Sequence, residues 1–412
     1  MPTLTQSNNI RYVSDIYVQR LFNLTTIAIF AVIFAMQIYL ANLLYNASTV
    51  HQWLISEWLI NYQGGFVRRG LIGEIIWHVA NWLAIDKVLL VLVVQILVLF
   101  CFLFVTFFVV KDTPVSMFTA LMIFSPAFLL FIVKEWPHVG VRKELFFLLI
   151  LSVIATVLLR VDKIPVWLPD VTGLAMVATV FIHEMVVIYY FYIIILIGIH
   201  QKRLTSVLIK MTLYTLLCFI VFLIVILNRV DDNVIASICQ SLQPSPPRDC
   251  ITGELGATTF LSEDVQFGMQ FVQHFTTIET TVVYIVTGIL SFFPVVGAII
   301  YYQLWNLLSR YFIILISGLL LASFIMTVIL GVIAADYGRF INIHIVSLSI
   351  LIVFMLKKYH LHKVQRWSTR QFYFGCGIII LWVASWKLPI WLMFATIDNA
   401  FPWLRLFNFM SN

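Results

Sequence analysis

The chain has 412 residues, of which 62% are hydrophobic and 11% charged, with a formal net charge of +6. Its mean hydropathy is +1.01, whereas soluble domains carry roughly 45–50% apolar and about 25% charged residues, so a soluble globular class is excluded. What remains is an all-α polytopic membrane protein, whose positive charge reads as topology and headgroup contact and not as nucleic-acid binding.

A helix needs about 20 apolar residues to cross a bilayer. No small-residue cleavage site follows a short apolar core near the N-terminus, so the first apolar run is expected to be a retained helix. Spans are expected at 21–43, 87–110, 115–133, 145–159, 206–228, 281–305, 311–334, 341–356 and 371–386. The apolar stretch 166–199 is broken at its middle by His183 and Glu184, and it reads as two short helices meeting there. The expectation is about eleven spans in a single integral-membrane domain over 1–412, without an internal repeat or a soluble domain.

Orientation comes from Lys and Arg in short loops. With Arg11 and Arg20 cytoplasmic, the inside loops hold Lys111, Arg160 with Lys163, Lys202 with Arg203, Arg310 and the run KKYHLHKVQR at 357–366. This places 14 of the 25 Lys and Arg inside and the other 11 outside, a weak bias. The outside cations, however, sit in compact motifs beside carboxylates, the pattern expected where function overrides the positive-inside rule. The extracytoplasmic loop 229–280 holds Arg229 and Arg248 against Asp231, Asp232, Asp249, Glu254, Glu263, Asp264 and Glu279. Cys239 and Cys250 also lie there, while Cys101, Cys218 and Cys376 fall in apolar runs. A disulfide between the loop cysteines, in an oxidising compartment, is the expectation; two unpaired thiols are the alternative.

Four motifs on that outer side carry candidate chemistry. In GGFVRRG (64–70), Arg68 and Arg69 lie between glycines, and guanidinium groups match phosphate oxygens bidentately, so a diphosphate at headgroup depth is the natural partner. Interfacial snorkelling is the competing account. In EWPHVGVRKE (135–144), Arg142 and Lys143 share the anion, while Glu144 either contributes to the site or only opens a helix. In FIHEMV (181–186), His183 or Glu184 serves as a base, or the two form a structural tie between helices. In AADYGRF (334–340), Asp336 orients an acceptor hydroxyl and Arg339 completes the clamp, unless the two merely pair along one helical turn. Glu74, just past the arginine pair, joins His183, Glu184 and Asp336 as the candidate catalytic residues. The run 357–366 is a retention signal without chemistry.

Val187 and Ile188 follow the His-Glu pair, so a second histidine at zincin spacing is missing and no metal is expected. No Walker loop, GxSxG elbow, CxxC pair or dinucleotide fingerprint occurs. No cofactor is therefore expected.

The size, span number, long outer loop and outer arginines, with GGFVRRG, VRKE, HE and DYGR, resemble bacterial polysaccharide polymerases of the Wzy kind. These are GT-C-like integral-membrane glycosyltransferases of O-antigen and capsule assembly. The resemblance implies polymerisation of undecaprenyl-diphosphate-linked oligosaccharide repeats at the periplasmic face of the inner membrane. Arginines would grip the diphosphate and an acidic or His residue would activate the acceptor hydroxyl. Membrane lipids and a chain-length regulator are the other implied partners. A transporter or flippase of an anionic lipid or solute, and a membrane O-acyltransferase, are the competing classes.

Overall fold

The computed structural model describes residues 14–46, 53–136, 140–201, 206–228, 230–244, 246–252, 256–361 and 368–404. Its α-helices are α1 (Asp15–Asn46), α2 (Trp53–Leu59), α3 (Gly70–Leu83), α4 (Lys87–Val110), α5 (Met117–Ile123), α6 (Phe131–Lys134), α7 (Leu145–Arg160), α8 (Leu168–Ile182) and α9 (Phe191–Gln201). They continue with α10 (Ser206–Leu227), α11 (Asp232–Ser241), α12 (Arg248–Thr252), α13 (Val265–Phe275), α14 (Ile278–Tyr302), α15 (Arg310–Gly331), α16 (Tyr337–Lys358), α17 (Thr369–Ser385) and α18 (Ile397–Ala400). No strand occurs among the described residues.

Among the described residues, seven stretches are long and apolar enough to cross a membrane: α1, α4, the run Glu184–Gln201, α10, α14, α15 and α16. Two shorter apolar helices, α7 and α8, join them. α1 shows why such a helix sits at the periphery. Phe22, Thr26, Phe30, Ile33, Gln37, Leu40 and Leu44 recur every three or four residues and are buried, while Leu24, Ile27, Val32 and Ile38 point outward. An apolar residue on that outer face is stable against acyl chains and costly against water. α16 is the opposite case, buried around its whole circumference from Ile343 to Leu356 and packed on α7, α9 and α14.

Two expected elements differ from the sequence reading. The run 115–133 is not one helix: α5 stops at Ile123, and α6 begins only at Phe131. Pro126 disfavours helical dihedrals at Ser125, whose hydroxyl accepts the Ala127 N–H at 3.1 Å and stabilises the turn. The segment after α10 is not an open loop either. It contains α11, α12, a 3-10 turn at Thr259–Leu261 and α13. Cys239 and Cys250 are joined by a disulfide with Cα atoms 5.4 Å apart, linking α11 to α12. Part of its acidity is structural. Asp231 and Asp264 cap α11 and α13 by accepting the Val234 and Phe267 N–H groups at 2.9 and 2.8 Å, and buried Asp249 accepts from Thr258 N at 2.9 Å.

Polar contacts sort the connections into two groups. At one end Lys357 caps the C-terminus of α4, its Nζ donating to the Phe108, Val109 and Lys111 carbonyls at 3.1, 3.0 and 2.9 Å. Such carbonyls lack intrahelical donors and favour a cation. Lys358 reaches the Val161 carbonyl, Tyr359 that of Ile199, Tyr302 that of Pro114, and Asn23 the Asp112 carboxylate. At the other end Asn61 and Trp77 bind Ser241, Lys87 binds the Gln243 carbonyl, Arg68 binds that of Phe260, and Lys387 pairs with Glu135. The loops assigned inside thus meet one another, and so do those assigned outside. Lys202, Arg203, Arg229 and residues 362–366 of the basic run lie outside the described residues.

Candidate functional site

The site begins with a short apolar helix. α2 is buried on all sides, including Glu57, which is 1% exposed. An ionised group there is tolerable only with partners. Arg142 Nη1 donates to Glu57 Oε2 at 2.9 Å, and Arg69 Nη1 and His183 Nε2 lie 3.8 Å from Oε1. Burial opposes ionisation of Glu57, but Arg142, Arg339, His183 and Arg69 outweigh it and hold the carboxyl well below the usual range.

Arg69 is the residue preceding α3, at φ 64° and ψ 13°. That left-handed conformation costs a non-glycine residue of order 1–3 kcal/mol and persists only where surroundings enforce it. Three contacts do so. Its Nε lies 3.0 Å from both Glu184 carboxylate oxygens, its Nη2 lies 2.9 Å from Oε1, and its carbonyl accepts from Lys143 Nζ at 2.8 Å. α3 can approach because residue 73 is glycine: a Cβ there would stand 1.8 Å from the Ile60 carbonyl oxygen.

Glu184 arrives because the chain unwinds at His183, which is extended at φ −157° and ψ 103° between α8 and a 3-10 turn over Glu184–Tyr189. The two neighbouring side chains diverge. Glu184 goes to Arg69, while His183 Nε2 lies 3.3 Å from Glu144 Oε1. Glu144 does not cap α7 through its side chain; it binds Arg339 Nη2. Arg339 also donates from Nη1 to Asp336 Oδ2 at 2.6 Å.

The result is one continuous cluster. Four cations (Arg69, Arg142, Lys143, Arg339) face four carboxylates (Glu57, Glu144, Glu184, Asp336) around His183. Only Arg69 at 19% and Asp336 at 28% carry appreciable side-chain exposure, so these two form its mouth. Burial raises the Asp336 carboxyl against the pull of Arg142 and pushes Lys143 down to about 7. Among the described residues, Arg142 Nε and Nη2, Arg339 Nε and Glu144 Oε2 are buried without a hydrogen-bond partner. They border a cavity of about 50 Å³ lined by Gly140, Arg142, Glu144, Arg339 and Asn342, room for a few waters at roughly 10–15 Å³ of such volume each.

The C-terminal segment covers this end. Gly338 N donates to the Ile390 carbonyl at 3.3 Å and Leu392 N to that of Ala335 at 2.9 Å. A Cβ on residue 338 would meet the Pro389 carbonyl oxygen at 1.9 Å, so glycine is required for this approach. Trp391 stacks its ring 5.9 Å from the Arg142 guanidinium carbon, and Lys387 Nζ lies 3.0 Å from the buried Glu135.

Of the residues singled out in the sequence, Arg69, Arg142, Lys143, His183, Glu184, Asp336 and Arg339 are in the cluster. Arg68 and Glu74 are not. Arg68 donates to the Phe260 carbonyl at 2.8 Å and anchors the segment carrying α11–α13, because the left-handed turn at Arg69 sends the adjacent side chains apart. Glu74 accepts from Tyr62 N and Gln63 Nε2 at 2.8 Å each and pairs with His78, so it closes a local turn. His138 lies outside the described residues. Glu57 was missed, although a lone carboxylate in WLISEWLI, an otherwise apolar helix, was the available signal. The described residues contain no group of three or more His, Cys, Asp or Glu arranged to hold a metal ion. Comparison with protein-family models, curated proteins and solved structures gives no match to this chain.

Proposed function

We propose that this protein is a membrane glycosyltransferase that polymerises undecaprenyl-diphosphate-linked oligosaccharide repeats at the periplasmic face of a bacterial inner membrane. One observation carries the reading: four motifs far apart in sequence meet in one buried cluster with uncommitted guanidinium N–H groups on Arg142 and Arg339. If α5–α6, α7, α8 and α17 also traverse the membrane beside the seven long stretches, the crossings number eleven and the cluster would lie on the side opposite the basic run. The disulfide and the acidic segment around it suit that side.

In the proposed reaction the acceptor hydroxyl gives its proton to Asp336, the carboxylate at the mouth. Its oxygen forms a bond to the anomeric carbon of the donor. The bond from that carbon to the diphosphate oxygen breaks, and undecaprenyl diphosphate leaves with the electron pair. Arg69, Arg142 and Arg339 stabilise the charge that develops on it. Each arginine is already held by a carboxylate, so the diphosphate binds by exchange, taking over donors now held by Glu57, Glu184 and Glu144. Glu57 and Glu144 position the arginines, and His183 bridges them. The raised pKa of the Asp336 carboxyl makes it a stronger base towards the acceptor hydroxyl than an ordinary aspartate.

In cells that depend on this protein for polymer, Arg69→Ala, Arg142→Ala and Arg339→Ala should abolish the polymer ladder at normal protein level. Lys at these positions should restore little, because a point charge does not replace the planar fork. Full ladders from all three variants would reject the clamp. A second reading, a transporter of an anionic lipid, is favoured by one feature, the unwound peptide at His183 between α8 and the 3-10 turn. The same cells separate the two. Lipid-linked single repeats accumulating outside support polymerisation; trapped inside, they support transport.

A further inference from the structure

α14 and α15 flank α16 without closing over its first turns. α14 packs on α16 and α5, while α15 leans on α9 and the 3-10 turn, where Ser323 Oγ donates to the Ile188 carbonyl at 2.7 Å. Between them lies a cleft of about 370 Å³, lined by Tyr284 of α14, Val328 and Val332 of α15 and Tyr337, Phe340 and Ile341 of α16. It falls within the roughly 300–1,000 Å³ of small-molecule sites. The contact of Phe324 with Phe292, at 5.5 Å, and its stack on His344, at 4.1 Å, lie one helical turn beyond Thr327 and close the inner end.

The cleft's polar groups are all engaged. Tyr284 Oη donates to the Pro389 carbonyl at 3.2 Å, Tyr337 Oη to that of Gly331 at 2.7 Å, and Thr327 Oγ1 to that of Ser323 at 2.9 Å. With these hydroxyl donors committed and the rest of the lining apolar, the cleft suits an apolar occupant. Val328 and Val332 are exposed at its rim, so it opens sideways, where α14 and α15 face lipid. Its outer end begins at Tyr337, immediately after Asp336 and two residues before Arg339.

We propose that this cleft holds the first isoprene units of the polyprenyl diphosphate whose headgroup binds the Arg69–Asp336 mouth. The proposal rests on the polymerase reading. It assigns α14, α15 and α16 the task of delivering the anomeric carbon beside Asp336: a chain seated from Tyr337 inward carries its diphosphate towards the neighbouring Asp336 and Arg339.

The test uses full-length protein in phosphatidylcholine nanodiscs and undecaprenyl diphosphate carrying a diazirine within its first isoprene units. After photolysis, label is expected on peptides containing Tyr284, Val328 and Phe340, and unlabelled undecaprenyl diphosphate should remove it. Val328→Trp and Val332→Trp, at exposed positions where no core is disturbed, should each lower this label by about tenfold or more. Val171→Trp, on the exposed face of α8, should not. Competed label on other helices overturns the cleft and leaves the polymerase reading standing. Equal labelling of the cleft by diazirine-tagged phosphatidylcholine, without competition, shows a general acyl groove and overturns the assignment. No competed label anywhere overturns both.

Discussion

Glu57 provides the sharpest stability test, because its carboxylate holds Arg142 at 2.9 Å in a place with almost no solvent. Arg142 already has Nε and Nη2 buried without partners among the described residues. Glu57→Gln removes the charge that compensates this guanidinium, and breaking a buried pair from one side typically costs about 3–5 kcal/mol. The amide oxygen of Gln still accepts one N–H, so the lower end, about 3 kcal/mol, is expected. Glu57→Gln/Arg142→Met should cost less than the sum of the single variants by about 1–3 kcal/mol, since the second change removes the stranded charge. Equilibrium unfolding of the purified protein in mixed micelles, over all four corners of the cycle, reads both quantities. A Glu57→Gln protein within about 0.5 kcal/mol of wild type, as at an ordinary surface position, or strict additivity, would refute the network.

Replacing Cys239 and Cys250 by Ser should destabilise the α11–α13 segment by about 3 kcal/mol, seen as faster proteolysis between residues 230 and 280 with the membrane core intact; an unchanged cleavage rate speaks against the bridge. Lys143 sits near 7 in the folded protein because it is buried, against about 10.4 unfolded. The unfolded chain therefore binds more protons between those values, and this residue makes stability rise with pH there, by as much as about 1.4 kcal/mol per unit. Lys143→Met should flatten that rise between pH 7 and 9, and an identical slope in the variant contradicts the burial account. An arriving diphosphate favours the charged lysine, so donor binding at pH 8 should take up a proton that Lys143→Met abolishes, measured calorimetrically in buffers of different ionisation enthalpy.

The long apolar helices were legible because membrane spans announce themselves by composition over some 20 residues. The α5–α6 break was not, since apolar content hides a backbone turn; only Pro126 signalled it. Within the site, spacing identified Asp336 with Arg339, which do pair over three residues, the alternative that the sequence set against their separate roles. Sequence could not say which of Arg68 and Arg69 faces inward. That depends on a single left-handed residue, whose conformation is enforced by Glu184 and Lys143 from distant segments. For the same reason the arginines looked like free anion binders, whereas each of the three in the cluster is already held by a carboxylate. Glu57, the hub, was hidden by having no charged neighbour in sequence.

The most direct test is turnover of a chemically defined donor by the purified, reconstituted protein. Undecaprenyl-diphosphate-linked repeat units supplied to wild-type protein in nanodiscs should yield a ladder of longer lipid-linked chains with one free undecaprenyl diphosphate per linkage formed. Asp336→Asn should stop both products while leaving donor binding intact, and the wild-type rate should fall as pH drops through the raised Asp336 pKa. Wild-type protein that binds the donor yet forms no linkage, or an Asp336→Asn variant that polymerises at the wild-type rate, would contradict the account.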